Sequence, residues 1–253
     1  MKSIHHRAGL VSVSFRAQDP REILRAMQGA GLAQIEWGSD VHAPCHDTAK
    51  LDELVALQRE FGISCCSYGT YFRLGQTPIA ELEPYILAAK RLGTDILRVW
   101  CGTKSGEHMT LDEIDALLKD CRAAAALAQK HGVTICTECH LRTFTERPED
   151  ALHLMQTVGS PHFRTYWQPF QTRTIAQNLA YLRTLAPYVT HLHVFQWKDS
   201  DRFPLKTGIA EWQSYLALLY SPHTLLLEFM PDDRLDTLTR EADALRQIIG
   251  ENV

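Results

Sequence analysis

Three features of the sequence predict an α/β fold of the (β/α)8 TIM-barrel type. Eight short β-rich apolar runs alternate with eight longer amphipathic runs from end to end. Dividing 253 residues among eight units leaves about 32 for each, the economy of such a barrel. No low-complexity linker or shift in composition splits the chain, so one domain spanning 1–253 is expected. A doubly wound open sheet is the competing architecture, but no G-x-G-x-x-G turn follows the first strand.

The strands expected in order are LVSVSF (10–15), LAQIEW (32–37), ISCCSY (63–68) and ILRVWC (96–101), then VTICTE (133–138), FRTYWQ (163–168), HLHVFQ (191–196) and TLLLEF (224–229). Each is rich in β-branched, aromatic or small buried residues and is followed by a break. Helical spacing follows at 21–31, 48–61, 79–93 and 111–132, then at 146–159, 174–186, 211–220 and 234–250. Gly31, Gly62, Gly93, Gly132 and Gly159 stand where helices should end, and Asp47, Thr110 and Pro148 where they should begin.

Composition narrows the function. Lys and Arg number 26 against 30 Asp and Glu, a net charge of −4, which is unsuited to holding phosphate backbones, so no nucleic-acid partner is expected. No stretch approaches the ~20 apolar residues of a membrane span. The N-terminal MKSIHHRAGL has no apolar secretion core, so a cytoplasmic location is expected. The seven cysteines are odd in number and irregularly spaced, and Cys136 and Cys139 form a CxxC with no second pair. Reduced core thiols are the expectation.

In such a barrel, chemistry collects where strands end and the following loops begin. Those positions hold Glu36, Trp37, Asp40, His42, His46, Tyr68, Tyr71, Arg73, Trp100, Lys104, Glu138, His140, Trp167, Gln168, Gln171, His191, His193, Trp197, Lys198 and Glu228. The five tryptophans, at 37, 100, 167, 197 and 212, are all expected at strand ends or in the loops beyond. Flat faces beside carboxylates, imidazoles and amides suit a sugar. Glu138 and Glu228 each close an apolar strand, where an unpaired carboxylate costs several kcal/mol. Together with His193 they make a mixed oxygen and nitrogen set suited to Mn, Mg, Co or Zn. The alternative is that each glutamate pairs with a basic core residue such as Arg98 or Arg164. Glu36 and Arg98 are expected to form a buried structural pair, and His191 to be a hydrogen-bonded core residue.

With these residues in place, the chain resembles sugar phosphate isomerase/epimerase-like proteins of the xylose isomerase-like TIM-barrel superfamily. The likeness runs through IEWGSDVHAP (35–44), SYGTYFRLG (67–75), RVWCGTKS (98–105), TECH (137–140), YWQPF (166–170), HLHVFQW (191–197) and LLLEFMPDD (225–233). It implies one divalent metal ion held by Glu138, Gln168, His193 and Glu228. Gln168 stands where the metal-dependent epimerases of that superfamily have Asp, and Gln171 where they place a substrate-binding His. The ligand charge accordingly falls from three negatives to two.

The resemblance implies isomerisation or epimerisation of a small ketose or related sugar, phosphorylated or not. Glu138 and Glu228 would be the catalytic carboxylates, moving a proton from one face of the substrate to the other. His42, His140, Gln171, Trp100 and Lys198 would position hydroxyls, with Trp37, Tyr68, Trp167 and Trp197 as further walls of the substrate site. Arg73 or Lys104 would hold a phosphate or carboxylate. A dehydratase (lyase) of a keto-cyclitol or keto-sugar and a non-catalytic sugar-binding barrel remain as alternatives. The partner is a small-molecule sugar; assembly as a homo-oligomer is left open.

Overall fold

The computed structural model describes residues 4–251. Eight parallel strands close a barrel in the order β1-β10-β7-β6-β5-β4-β3-β2. They are β1 (Arg7–Val11), β2 (Gln34–Gly38), β3 (Ser64–Leu74), β4 (Ile96–Cys101), β5 (Thr134–Glu138), β6 (Phe163–Trp167), β7 (Val189–Val194) and β10 (Thr224–Leu227). The helices between them are α1 (Pro20–Gly29), α2 (Thr48–Phe61), α3 (Leu82–Leu92), α4 (Leu111–His131), α5 (Pro148–Val158), α6 (Ile175–Leu185) and α7 (Ile209–Leu216), with α8 (Leu238–Ile249) after the last strand. An antiparallel ribbon, β8 (Trp197–Lys198) with β9 (Asp201–Arg202), rises from the loop after β7. The expected (β/α)8 barrel is the observed one.

Alternation along each strand divides the core in two. Outward residues such as Ile35, Leu97, Ile135 and Leu192 pack under the helices in a large continuous cluster. Inward residues are fewer: Val11, Val13, Cys66, Cys136, Tyr166 and Leu226 plug the barrel interior. The inward row of β5 therefore runs from Cys136 to Glu138, and that of β10 from Leu226 to the residue just beyond it, Glu228. This is how the chain lifts two carboxylates to the rim at the C-terminal ends of the strands.

The sequence expectation is missed most clearly at β3, which runs on to Leu74 rather than ending at Tyr68, at the first strand and at one tryptophan. The first strand occupies Arg7–Val11, and Ser12–Phe15 coil into a 3-10 turn. Val-Ser-Val-Ser alternates as a strand would, but Ser12 Oγ accepts the Gly38 amide and Ser14 Oγ the Phe229 amide, so these side chains bind neighbouring rim backbone rather than flank a ladder. The last of the tryptophans, Trp212, lies within α7 rather than in a rim loop, buried against Trp167 and Tyr215. All seven cysteines are free, as expected.

Helix ends follow the sequence signals. Gly62 and Gly132 end α2 and α4 in the left-handed region, at φ 68° and 66°. Thr110 and Glu113 form a reciprocal capping box at the start of α4. Replacing Thr110 with Ala removes one half of that box and should cost about 1 kcal/mol. Thermal denaturation should register a fall in Tm of roughly 2–4 °C.

Candidate active site

A cavity of about 240 Å³ opens at the C-terminal rim, lined by Arg98, Glu138, Gln168, Gln171 and Glu228 among its polar residues. Its other walls are Val13, Arg16, Tyr71, Trp100, His140, Phe195, Trp197 and Phe229. At its floor, oxygens of Glu138 and Glu228 and a nitrogen of His193 all lie within 4.8 Å of one another. His193 Nδ1 is the centre of this group, 3.5 Å from Glu138 Oε1, 3.3 Å from Glu228 Oε2 and 3.2 Å from Gln168 Oε1. The four residues implied by the resemblance are thus brought together by β5, β6, β7 and β10.

Beneath them lies the buried pair Glu36–Arg98, with Arg98 Nε donating to Glu36 Oε1 over 2.8 Å. Arg98 reaches further than expected: Nη1 donates to Glu138 Oε2, so one guanidinium serves two carboxylates. The alternative pairing of a glutamate with a core arginine therefore holds for Glu138, yet its other oxygen still faces His193. Glu228 has no arginine or lysine within 4.0 Å among the described residues.

The charges can be counted. Glu36, Glu138 and Glu228 are 0%, 4% and 7% exposed and Arg98 is 3% exposed, so three carboxylates face one guanidinium out of water. Burial pushes the Glu138 carboxyl up, but the Arg98 charge and the His193 contact overcome it and hold Glu138 down at about 2. Glu36 is likewise held well below the usual carboxylate range against its burial, chiefly by Arg98. Burial would lower His193, but the Glu228, Glu138 and Glu36 carboxylates drive it well above the ordinary imidazole value. The cluster thus attracts positive charge at His193 Nδ1, the point where four donor groups converge. Three oxygens and one nitrogen, all able to ligate, fit a divalent cation there.

The walls are aromatic. Trp100 packs against His140 at 4.3 Å between ring centres with the rings tilted by 33°, and the Arg73 guanidinium covers Trp100 at 4.0 Å. His140 Nδ1 donates to the Leu141 carbonyl over 2.8 Å, which turns Nε2 away from that contact. Across the mouth, Trp197 Nε1 donates to the Phe229 carbonyl. Phe229 itself has φ 49°, a strained value for an aromatic residue, held by the Ser14 hydroxyl at its amide.

Several residues expected to bind substrate lie elsewhere. Trp37 and Trp167 follow inward residues and so point out into the helix layer; Trp37 bonds Gln58, and Trp167 packs on Trp212 and Tyr215. Tyr68 is likewise outward and donates to the Ala43 carbonyl. His42 is buried between Ser12 Oγ and the Gln18 carbonyl. Lys104 pairs with Glu113 beside a separate cavity, and Lys198 is an exposed ribbon residue. Arg73 supports Trp100 from behind and bonds the Gly102 carbonyl.

Conversely, Arg16, Tyr71, Phe195 and Phe229 line the cavity without having been singled out as binding residues. Arg16 bonds Asp40 and the Tyr71 hydroxyl, closing one side of the mouth. Arg16 directly follows the expected strand 10–15 and carried no signal, because the 3-10 turn Ser12–Phe15 that it caps was hidden in an apparent strand.

Comparison with known proteins follows this geometry. A family model described as xylose isomerase-like TIM barrel matches residues 24–248. A search of curated proteins found no match. Among solved structures, the "probable 3-DHS dehydratase AsbF" of Bacillus anthracis superposes with a TM-score of 0.80 at 16% identity, covering 95% of this chain and 98% of that one. D-psicose 3-epimerase of Clostridium cellulolyticum H10 gives 0.67 at 14% identity, covering 94% and 96%. A xylose isomerase-like TIM barrel protein of Mycobacterium smegmatis, solved in complex with magnesium, gives 0.72 at 12% identity, covering 98% and 97%. At these identities the likeness is one of fold.

Gly69 tests the close fit of the buried ion pair. A Cβ at this position would fall on Glu36 Oε1 and 2.7 Å from Arg98 Nη2. Gly69→Ala at a strand position of ordinary φ would normally be neutral or stabilising. Here it should cost about 1–3 kcal/mol, as overpacking does, read as a lower midpoint in urea at unchanged m.

Proposed function

Because the chain belongs to the xylose isomerase-like TIM barrel family, we propose that it is a metal-dependent isomerase or epimerase of a small ketose or related sugar. The observation that carries this reading is the charge count at the rim. Three buried carboxylates share one guanidinium, and a divalent cation at His193 Nδ1 would bring the cluster to neutrality with His193 unprotonated. Glu138, Gln168, His193 and Glu228 would hold it. When bound, the ion supplies Lewis acidity, polarising a substrate carbonyl and acidifying the adjacent C–H.

The rest of the work belongs to this chain's own residues. Glu138 and Glu228 come from β5 and β10, which are three places apart in the ring of eight, so their carboxylates approach the cavity from different sides. One would accept the proton from the substrate carbon, and the other, protonated from solvent, would deliver a proton to the opposite face. Trp100 and Trp197 add apolar ring surface beside the C–H groups of a sugar, while Gln171 and His140 Nε2 meet its hydroxyls. Packing by Tyr71, Phe195 and Phe229 limits water at the reacting carbon. A cavity of about 240 Å³ suits a single small sugar rather than an oligosaccharide.

Dehydration of a keto-cyclitol or keto-sugar is the second reading, favoured by Gln171 in the cavity where epimerases of this superfamily carry a substrate-binding histidine. It uses the same proton abstraction and differs in expelling a β-hydroxyl as water. A panel of ketoses and inososes in deuterated water separates the two. Isomerisation or epimerisation places deuterium at the carbon next to the carbonyl, whereas dehydration yields an unsaturated product. Glu138→Gln and Glu228→Gln should each lower either activity by at least about 100-fold. Turnover surviving in both variants, or turnover indifferent to EDTA, would sink the proposal.

A further inference from the structure

Glu36 lies in the middle of β2, fully buried and outside the ligand set, yet its carboxylate touches three of its neighbours. Oε2 accepts from Ser67 Oγ at 2.8 Å. Oε1 accepts from Arg98 Nε at 2.8 Å and lies 3.7 Å from His193 Nε2. The other arm of Arg98 donates to Glu138 Oε2, which leaves Glu138 Oε1 as the oxygen turned toward His193 Nδ1. His193 Nε2 is buried and has no hydrogen-bond partner within ordinary reach among the described residues; Glu36 is the carboxylate that faces it.

Two of the four donors of the proposed site are therefore oriented from one group. His193 can offer the Nδ1 lone pair only when its proton sits on Nε2, and a carboxylate behind Nε2 favours that tautomer and fixes the ring. Glu138 is a bridging carboxylate, with one oxygen committed to Arg98 and one free for a ligand. Arg98 can hold that geometry because Glu36 fixes its Nε edge. The backbone makes room for this arrangement at Gly69, where any Cβ would strike Glu36 and Arg98. A purely structural ion pair needs neither the shared guanidinium nor the imidazole at its back.

From this geometry we infer that Glu36 is the positioning residue of the cation site, orienting His193 directly and Glu138 through Arg98. This role goes beyond a buried pair that merely stabilises the barrel, and it rests on the cation reading given above.

The test measures Mn²⁺ binding to the intact protein by calorimetry, alongside thermal stability. Glu36→Gln removes the charge, and Glu36→Asp keeps it but draws it back by one methylene. Both should bind Mn²⁺ about 10–100-fold more weakly than the parent, the usual loss when a group supporting a ligand is removed. Glu241→Gln is the control: Glu241 is also buried and accepts the Leu205 amide, away from this cluster. It should lose stability and keep its Mn²⁺ affinity.

Parental affinity in Glu36→Asp would overturn the inference, because Glu36 would then act through charge alone. Equal weakening in Glu241→Gln would overturn it too, as a general stability effect. If Glu36→Gln fails to fold, Glu36→Asp alone decides. If the parent itself binds no Mn²⁺, the cation reading has failed, and crystal structures of Glu36→Asp and the parent decide the positioning role. Movement of Glu138 Oε1 relative to His193 Nδ1, from its present 3.5 Å, upholds that role; an unchanged arrangement ends it.

Discussion

One guanidinium shared by two buried carboxylates is the constraint on which the upper barrel depends. Arg98 spans Glu36 and Glu138 from the middle of β4: it is in register with Cys136, two residues before Glu138, and with Gly69, two residues past the Glu36 partner Ser67, so its guanidinium bridges a carboxylate below it and one above. An arginine is suited to this task because its planar fork presents donors on two edges at once, which a lysine does not. The arrangement leaves a carboxylate in excess, Glu228, beside an imidazole. Taking three acids out of water would be prohibitive with one counter-charge alone, so the cluster is built to accept further positive charge. A proton on His193 or a cation at its Nδ1 would each supply it.

The same alternation that builds the cluster sorts the aromatic residues. A strand that turns Glu36 inward must turn Trp37 outward, and one that turns Tyr166 inward must turn Trp167 outward. Trp37 and Trp167 accordingly belong to the packing between barrel and helices, where their indole groups meet Gln58, Trp212 and Tyr215. Trp100 shares the parity of Arg98 and rises above it as a wall of the cavity. Trp197 reaches the cavity by a different route, from the ribbon after β7, and is held there by Arg202 and by the Phe229 carbonyl. Two tryptophans, rather than five, thus line the cavity.

Loops carry the remaining control. Among the described residues, the four non-glycine residues of positive φ are Arg142, Asp199, Phe229 and Asp233, all in the loops that follow β5, β7 or β10. Strain of that kind persists where surrounding contacts over-determine the backbone. At Phe229 those contacts are the Ser14 hydroxyl and the Trp197 indole, from β1 and β7 sides of the mouth. The residue next to Glu228 is therefore fixed by two other loops, which keeps that carboxylate turned toward His193.

Much of the barrel was legible in the chain itself, because strand and helix periodicity, capping residues and terminal glycines are local properties. So was the identity of the charged floor: Glu138 and Glu228 each close an apolar strand, and parity along a strand gives the facing of Glu36, Arg98 and His193 without any long-range information. What the sequence could not determine is how far each charge reaches. That Arg98 also grips Glu138, that Glu36 stands behind His193, and that His42, Lys104 and Lys198 turn away from the cavity depend on strands and loops separated by tens of residues. Period-two alternation states only which side of a strand a side chain leaves. Closure of the ring, with its stagger and its 3-10 turn after β1, decides which groups then meet.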